Sequence, residues 1–126
     1  MEANDPRYIL PESIKSAVEI FSGEQTPAYL AGGTDLIPLQ KSGLCRPSCL
    51  IDLEKFDELK KIETHEDVLF MGAMVDLARV AEDETINRLL EPVARAARNV
   101  ASPQIRNMAT IGGNLCQEPR CWYYRH

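Results

Sequence analysis

Two short stretches of the chain hold residues whose types and spacing suit the binding of an anion. Residues 31–38 read "AGGTDLIP" and residues 109–114 read "ATIGGN". Each sets a Gly-Gly pair beside a threonine and a further small polar side chain. Glycine lacks a Cβ, so its backbone reaches positive φ and lets a bulky anion approach main-chain N–H groups. Where a helix begins just downstream, its unpaired N–H groups and positive dipole end add to the site. In "AGGTDL" the Thr34 hydroxyl is one more donor, and Asp35 suits the cap of the following turn. A Gly pair between strand and helix also serves as a plain tight turn, and this stretch alone does not separate the two uses. The spacing is not G-x-G-x-x-G, so a Rossmann dinucleotide site is not indicated. No Gly-Lys-Ser/Thr follows, which excludes a Walker loop. The second pair adds weight: two such loops brought together would clasp the phosphates of a pyrophosphate from opposite sides.

Composition narrows what such a site would serve. The 126 residues fit one domain with a modest core. Hydrophobic residues at 44% and charged residues at 26% describe an ordinary globular chain. The net charge of −5 and pI near 5.0 set the bulk field against a nucleic-acid backbone, so nucleic acid is not an expected partner. Any phosphate must be held by local backbone donors. The start, "MEANDPRYIL", lacks the basic and apolar regions of a signal peptide, and no stretch has the apolar length of a membrane span. The expectation is a cytoplasmic protein with no membrane partner. In that compartment Cys45, Cys49, Cys116 and Cys121 are buried apolar residues, metal ligands or redox groups, and neither neighbouring pair has CxxC spacing. No side chain has the setting of a nucleophile or general base. His65, in "THED", reads as a surface turn residue, and His126 is terminal.

The elements that must position the glycine pairs follow from periodicity. "PESIKSAVEIFSG" predicts a helix with Ile14, Val18 and Phe21 on one face, Ala17 beside them, Pro11 in the first turn and Gly23 as the stop. "PAYLAGG" predicts a short buried strand, "TDLIPLQKSG" a helix of a turn or two limited by Pro38, and "CLIDL" a second strand. The opening portion, residues 1–54, is thus αβαβ, with the first Gly pair between a strand and a helix. From residue 55 the pattern changes. "KKIE" and "VLFMG", joined by "THED", predict a hairpin without a tight two-residue turn. "VDLARVAED" predicts a short helix, and "ETINRLLEPVARAARNVA" two helices, the second starting at Pro92. "SPQIRNMATIGGN" reads as a polar loop leading into the second Gly pair. The end, "CWYYRH", is aromatic and basic with no helix cap, which predicts a fragment or a surface that packs on something else.

"YLAGGTDLIPLQKSG" followed by "ASPQIRNMATIGGNL" resembles the flavin-binding subunit of the molybdenum hydroxylase family, which includes xanthine dehydrogenase and carbon monoxide dehydrogenase. The likeness runs over nearly the whole chain. It implies an α+β, FAD-binding PCMH-type fold of two small subdomains, residues 1–54 and 55–126, with the cofactor's pyrophosphate between them. Carried onto this chain, Ala31, Gly32, Gly33, Thr34 and Asp35 form the first phosphate loop. Thr110, Gly112, Gly113 and Asn114 form the second, with Ile111 near the flavin. Leu30 and Leu36 are expected as core around the first loop. Ser102, Pro103, Gln104 and Arg106 match the approach to the second, where Arg106 is expected to pair with a carboxylate rather than with phosphate. The tail, "GGNLCQEPRCWYY", is similar to the 4-hydroxybenzoyl-CoA reductase branch, whose flavin subunit holds a [4Fe–4S] cluster. On that likeness Cys121, ahead of Cys116, is the candidate ligand, for a cluster of the full-length parent only. The family further implies a [2Fe–2S] small subunit, a molybdopterin large subunit, and NAD or another soluble carrier as partners. The function it implies is electron transfer between iron–sulfur centres and that carrier. The family's subunit is longer than this chain, so the expected alternative is a truncated, non-catalytic interaction fragment with no bound flavin.

Overall fold

In the computed structural model, residues 5–119 and 121–125 are described. Three parallel strands, β1 (Arg7–Ile9), β2 (Pro27–Leu30) and β3 (Cys49–Asp52), form a sheet in the order β1-β3-β2. β3 is buried along its whole length, as a central parallel strand covered on both faces must be. Asp52 closes that strand. Its buried carboxylate accepts hydrogen bonds from the Tyr8 hydroxyl and the Glu54 N–H. The expected αβαβ order is present, and one further strand, β1, precedes it. Three residues are too few for a periodic signal, and β1 exists because Arg7, Tyr8 and Ile9 pair with Cys49, Leu50 and Ile51.

Two helices make the crossovers. α1 (Ile14–Gly23) begins at Ser13, whose hydroxyl accepts the Ser16 N–H while the Ser16 hydroxyl accepts the Ser13 N–H, both at 3.0 Å. This reciprocal cap sets the start after Pro11, which lies outside the helix rather than in its first turn. The inward stripe is Ile14, Ala17 and Ile20, packed on Cys49, Ile51 and Phe56. Val18, expected inside, is 52% exposed, and Phe21 leans outward to stack on Tyr29 with ring centroids 4.4 Å apart. α2 (Leu36–Lys41) follows the first Gly pair. Its Pro38 sits in the first turn, where an N–H has no intrahelical acceptor in any case.

The second half has its own core. After a 3-10 turn (Asp57–Lys60), β4 (Ile62–His65) and β5 (Val68–Met71) form an antiparallel hairpin. Its connection is tight after all: Thr64 and His65 are strand residues, and only Glu66 and Asp67 turn the chain. Glu66 supplies the left-handed conformation, at φ +53, which a two-residue turn demands and which glycine usually provides. α3 (Leu77–Glu82) and α4 (Glu84–Leu89) are capped by the carboxylates of Asp76 and Asp83, and α5 (Glu91–Arg98) starts with Pro92 in its first turn as expected. Val75, Leu77, Val80, Ile86, Ala94 and Ala97 are the buried heart of this part. Phe56 and Leu59 still pack on the first core, and Ile62 is the earliest residue to pack on the second. α6 (Pro103–Arg106), α7 (Ile111–Cys116) and α8 (Trp122–Arg125) follow. Among the described residues no helix is long and apolar enough to cross a membrane.

Candidate functional site

The two glycine-bearing stretches border one cleft but do different work there. A Cβ on Gly32 would lie 1.7 Å from the Met108 carbonyl oxygen and 3.2 Å from the Ala109 nitrogen. The two halves of the chain therefore meet backbone to backbone at Gly32, and any side chain would force them apart. Gly33 answers to conformation instead, at φ +67. Its carbonyl accepts the Ile37 N–H at 3.0 Å, which ties the loop to α2. Within the described residues the N–H groups of Gly32, Gly33 and Thr34 donate to no acceptor, so three main-chain donors stand open at this turn. Asp35 holds the N-cap position of α2 without a side-chain cap bond to it.

The second pair lies inside α7, not in a loop. Thr110 is its N-cap, and its hydroxyl oxygen accepts the Gly113 N–H at 3.1 Å. The Ile111 N–H donates to the Val75 carbonyl (2.8 Å), and the Gly112 N–H to that of Ala73 (2.9 Å). Gly112 is small because a Cβ would lie 2.8 Å from both the Cβ and the carbonyl oxygen of Ala73. The amides at 111–113 are thus committed within the protein, and the picture of amides clasping from both sides does not hold for them. This segment offers the cleft the Thr110 hydroxyl hydrogen and the Asn114 side-chain amide.

Between the two stretches runs a cavity of about 760 Å³. Ala31, Gly32, Gly33, Thr34, Asp35, Thr110, Gly113 and Asn114 line it. Ile111 and Gly112 do not: Ile111 packs against the second core. Leu36, expected as core, faces the cavity, joined by Leu39, Leu44, Val100 and Ile105 as an apolar wall. Sequence reading passed over most of these, along with Tyr29 and Glu118, since an apolar side chain bordering a cleft carries the same signature as one in a core. The volume lies in the range of small-molecule sites. Among the described residues lining it none is Lys, Arg or His, and the donors these residues offer an anion are main-chain, hydroxyl and amide groups. Asp35 and Glu118 are carboxylates in the same wall, suited to accepting bonds from sugar hydroxyls.

Two groups at the cavity, the Tyr29 hydroxyl and the Cys45 thiol, are held towards their neutral forms. Burial pushes the Tyr29 hydroxyl up, and burial followed by the charge of Glu118 pushes the Cys45 thiol up. A thiol held in its protonated form is no nucleophile. Among the described residues Arg106 pairs with no carboxylate, contrary to expectation. Its guanidinium donates to the Val100 carbonyl at 2.9 Å and braces the turn at Ala101, whose φ is +43. Ser102 caps α6 by accepting the Ile105 N–H at 3.3 Å. Cys116 and Cys121 are exposed, and among the described residues no three His, Cys, Asp or Glu side chains converge to hold a metal. His65 is the last residue of β4, exposed beside Glu63, and His126 lies outside the described residues.

Comparison with known proteins bears on this cleft. The family described as FAD binding domain in molybdopterin dehydrogenase matches residues 2–120. The nicotine 6-hydroxylase medium subunit of Paenarthrobacter nicotinovorans is 36% identical over 109 residues, covering 86% of this chain and 38% of that protein. The xanthine dehydrogenase FAD-binding subunit of Escherichia coli O157:H7 is 32% identical over 110 residues, at 86% and 38%. A carbon monoxide dehydrogenase structure from Hydrogenophaga pseudoflava superimposes with a TM-score of 0.84 at 31% identity, covering 91% of this chain and 40% of that one. The chain thus spans about two fifths of the length of these relatives. A match across nearly every residue, with the same fold and both glycine stretches at one cleft, leads to one assignment: the chain belongs to the FAD-binding domain family of the molybdopterin dehydrogenases.

Proposed function

We propose that the chain forms the diphosphate-holding part of an FAD site in a molybdenum hydroxylase complex. The observation that carries this reading is the open turn at Gly32–Thr34, pressed against Met108–Ala109 and facing the cavity that Thr110 and Asn114 close. Three unpaired N–H groups and two hydroxyls suit a diphosphate, and among the described residues of the wall none is Lys, Arg or His. Ala31 and Gly113 admit the ligand by their smallness, and Asn114 supplies a side-chain amide. Asp35 and Glu118 accept from ribose or ribityl hydroxyls, and Leu36, Leu39 and Val100 cover apolar ring surface. FAD, when bound, supplies the redox chemistry, while the chain binds, orients and shields it.

Supported by its relatives' naming as medium or FAD-binding subunits, the complex would include a [2Fe–2S] small subunit and a molybdopterin large subunit, with NAD or another carrier as electron partner. The chain would then pass electrons between iron–sulfur centres and that carrier in the cytoplasm. Cys121 as a cluster ligand would belong to the longer parent in the reductase-like branch. The alternative, an interaction fragment with empty glycine turns, is less favoured, because plain turns do not require Gly32 to sit where no Cβ fits. Equilibrium dialysis of the purified chain with FAD tests the reading: near one FAD per chain is expected, with a shift in the flavin absorption bands. Protein that stays colourless and gains no thermal protection from FAD would overturn it.

A further inference from the structure

The segment from Arg98 to Arg106 contributes to two cavities. Val100, Ala101 and Ile105 line the cleft described above, while Arg98, Pro103 and Arg106 line a second space of about 320 Å³. The rest of that second wall is Ala78, Ala81 and Glu82, three and four residues apart on one face of α3. No lining residue is common to the two cavities. Both guanidiniums are steadied by neutral acceptors: Arg98 donates to the Asn87 side-chain oxygen, and Arg106 to the Val100 carbonyl at 2.9 Å. A guanidinium has five N–H donors in a planar fork, so each keeps donors to spare. Among the described residues no carboxylate pairs with either arginine, and Glu82, in the same wall, pairs with neither.

Three charges thus line one small space without meeting, two positive and one negative, in a chain whose net charge is −5. We propose that this cavity binds a small zwitterion, an amino carboxylate of amino-acid size, with its carboxylate on Arg98 and Arg106 and its ammonium on Glu82. Arginine stays protonated and presents parallel N–H groups that match the two oxygens of a carboxylate. A phosphate dianion would also suit the forks, but it sets a second negative charge beside Glu82 and leaves that carboxylate without a donor. A ligand carrying both charges fills the gap between the arginines and Glu82 and satisfies all three side chains at once. Ala78, Ala81 and Pro103 give its short carbon body an apolar floor. The volume lies at the lower end of small-molecule sites, which excludes a nucleotide cofactor and suits a molecule of a few carbons. This site does not depend on the FAD reading.

Titration of the chain, followed by amide nitrogen–proton correlation spectra, tests the assignment. The probes are β-alanine and 4-aminobutyrate, which space the two charges differently, with propionate and propylamine as single-charge controls and inorganic phosphate as the rival anion. At least one zwitterion is expected to move the amides of Ala78, Glu82, Arg98 and Arg106 saturably, and to bind at least about fivefold more tightly than propionate, propylamine or phosphate. Arg98→Met is expected to lower that affinity to the level of propylamine. Glu82→Gln is expected to lower it to the level of propionate and to improve phosphate binding. Neither variant should alter FAD binding, since neither side chain lines the cleft. Absence of a saturable shift at these amides, equal affinity for zwitterion and propionate, tighter binding of phosphate, or affinity unmoved by both variants overturns the proposal. The comparison of probes needs no variant, so it decides the matter even where a substitution misfolds.

Discussion

At the scale of single residues, glycine is used here for two separable reasons. Gly33 and Gly43 hold positive φ, whereas Gly32, Gly72 and Gly112 sit where another segment's main chain leaves no space for a Cβ. Gly23 has neither reason, with nothing within 4 Å of a built Cβ. Gly32→Ala is therefore expected to destabilise the fold by about 1–3 kcal/mol or more, since the Met108 carbonyl is main chain and cannot rotate aside. Gly23→Ala, in the last turn of α1, is expected to be neutral or to stabilise by up to about 1 kcal/mol. Urea unfolding of the two variants checks the contrast, and equal effects would contradict it. The glycine pairs were legible as types, and which reason applied to each was not. Conformation is a local property, but a forbidden Cβ depends on what another part of the chain brings up against it.

At the scale of elements, what holds β1 to the sheet is partly one side-chain bond. The Tyr8 hydroxyl donates to the buried Asp52 carboxylate, and that bond, ahead of burial and the nearby negative charge, raises the Tyr8 pKa. A group whose folded pKa lies above its unfolded value stabilises fully below the unfolded value and stops doing so as pH rises through the folded one. Stability is thus expected to hold to about pH 10, the ordinary tyrosine value, and to fall above it. Tyr8→Phe should weaken that alkaline loss, as followed by circular dichroism melts from pH 8 to 11; an identical slope in the variant would refute the linkage. On the acid side, Glu24 is held below its usual range, first by the Arg7 hydrogen bond, so its contribution fades as pH falls through its lowered pKa. Neither bond was visible beforehand, since Tyr8–Asp52 and Arg7–Glu24 join residues far apart in sequence. Helix starts rest on shorter-range signals, since caps such as Ser13, Asp76, Asp83 and Thr110 act within three or four residues, yet the sequence pattern sets Pro11 inside α1 and makes the stretch before the second Gly pair a loop. The side of α1 that faces inward was not legible: 14-17-20 and 14-18-21 are both helical stripes, and the sheet chose the first.

At the scale of the whole molecule, two small cores meet at a cleft whose walls come one from each. A ligand bridging them stabilises both together, because it binds only when both are folded and docked. At a hundredfold excess over its dissociation constant FAD should add about 2.7 kcal/mol of stability. Hydrogen exchange should slow in β3 and in α5 alike. Protection confined to β3 would mean that the ligand touches the first loop alone, and would contradict a site shared by both halves.

The amino-acid order alone determined much of the local grammar: which of the longer runs are helical or extended, and that two glycine-rich stretches suit a diphosphate in an acidic protein. Those features rest on periodicity, capping and conformational freedom, all of short range. Tertiary structure decided the rest. It placed Gly32 on Met108, committed the amides at 111–113 to Ala73, Val75 and Thr110, and left those of Gly32–Thr34 open. A donor is available only if no acceptor reaches it, and that is settled by what the folded chain brings within 3 Å.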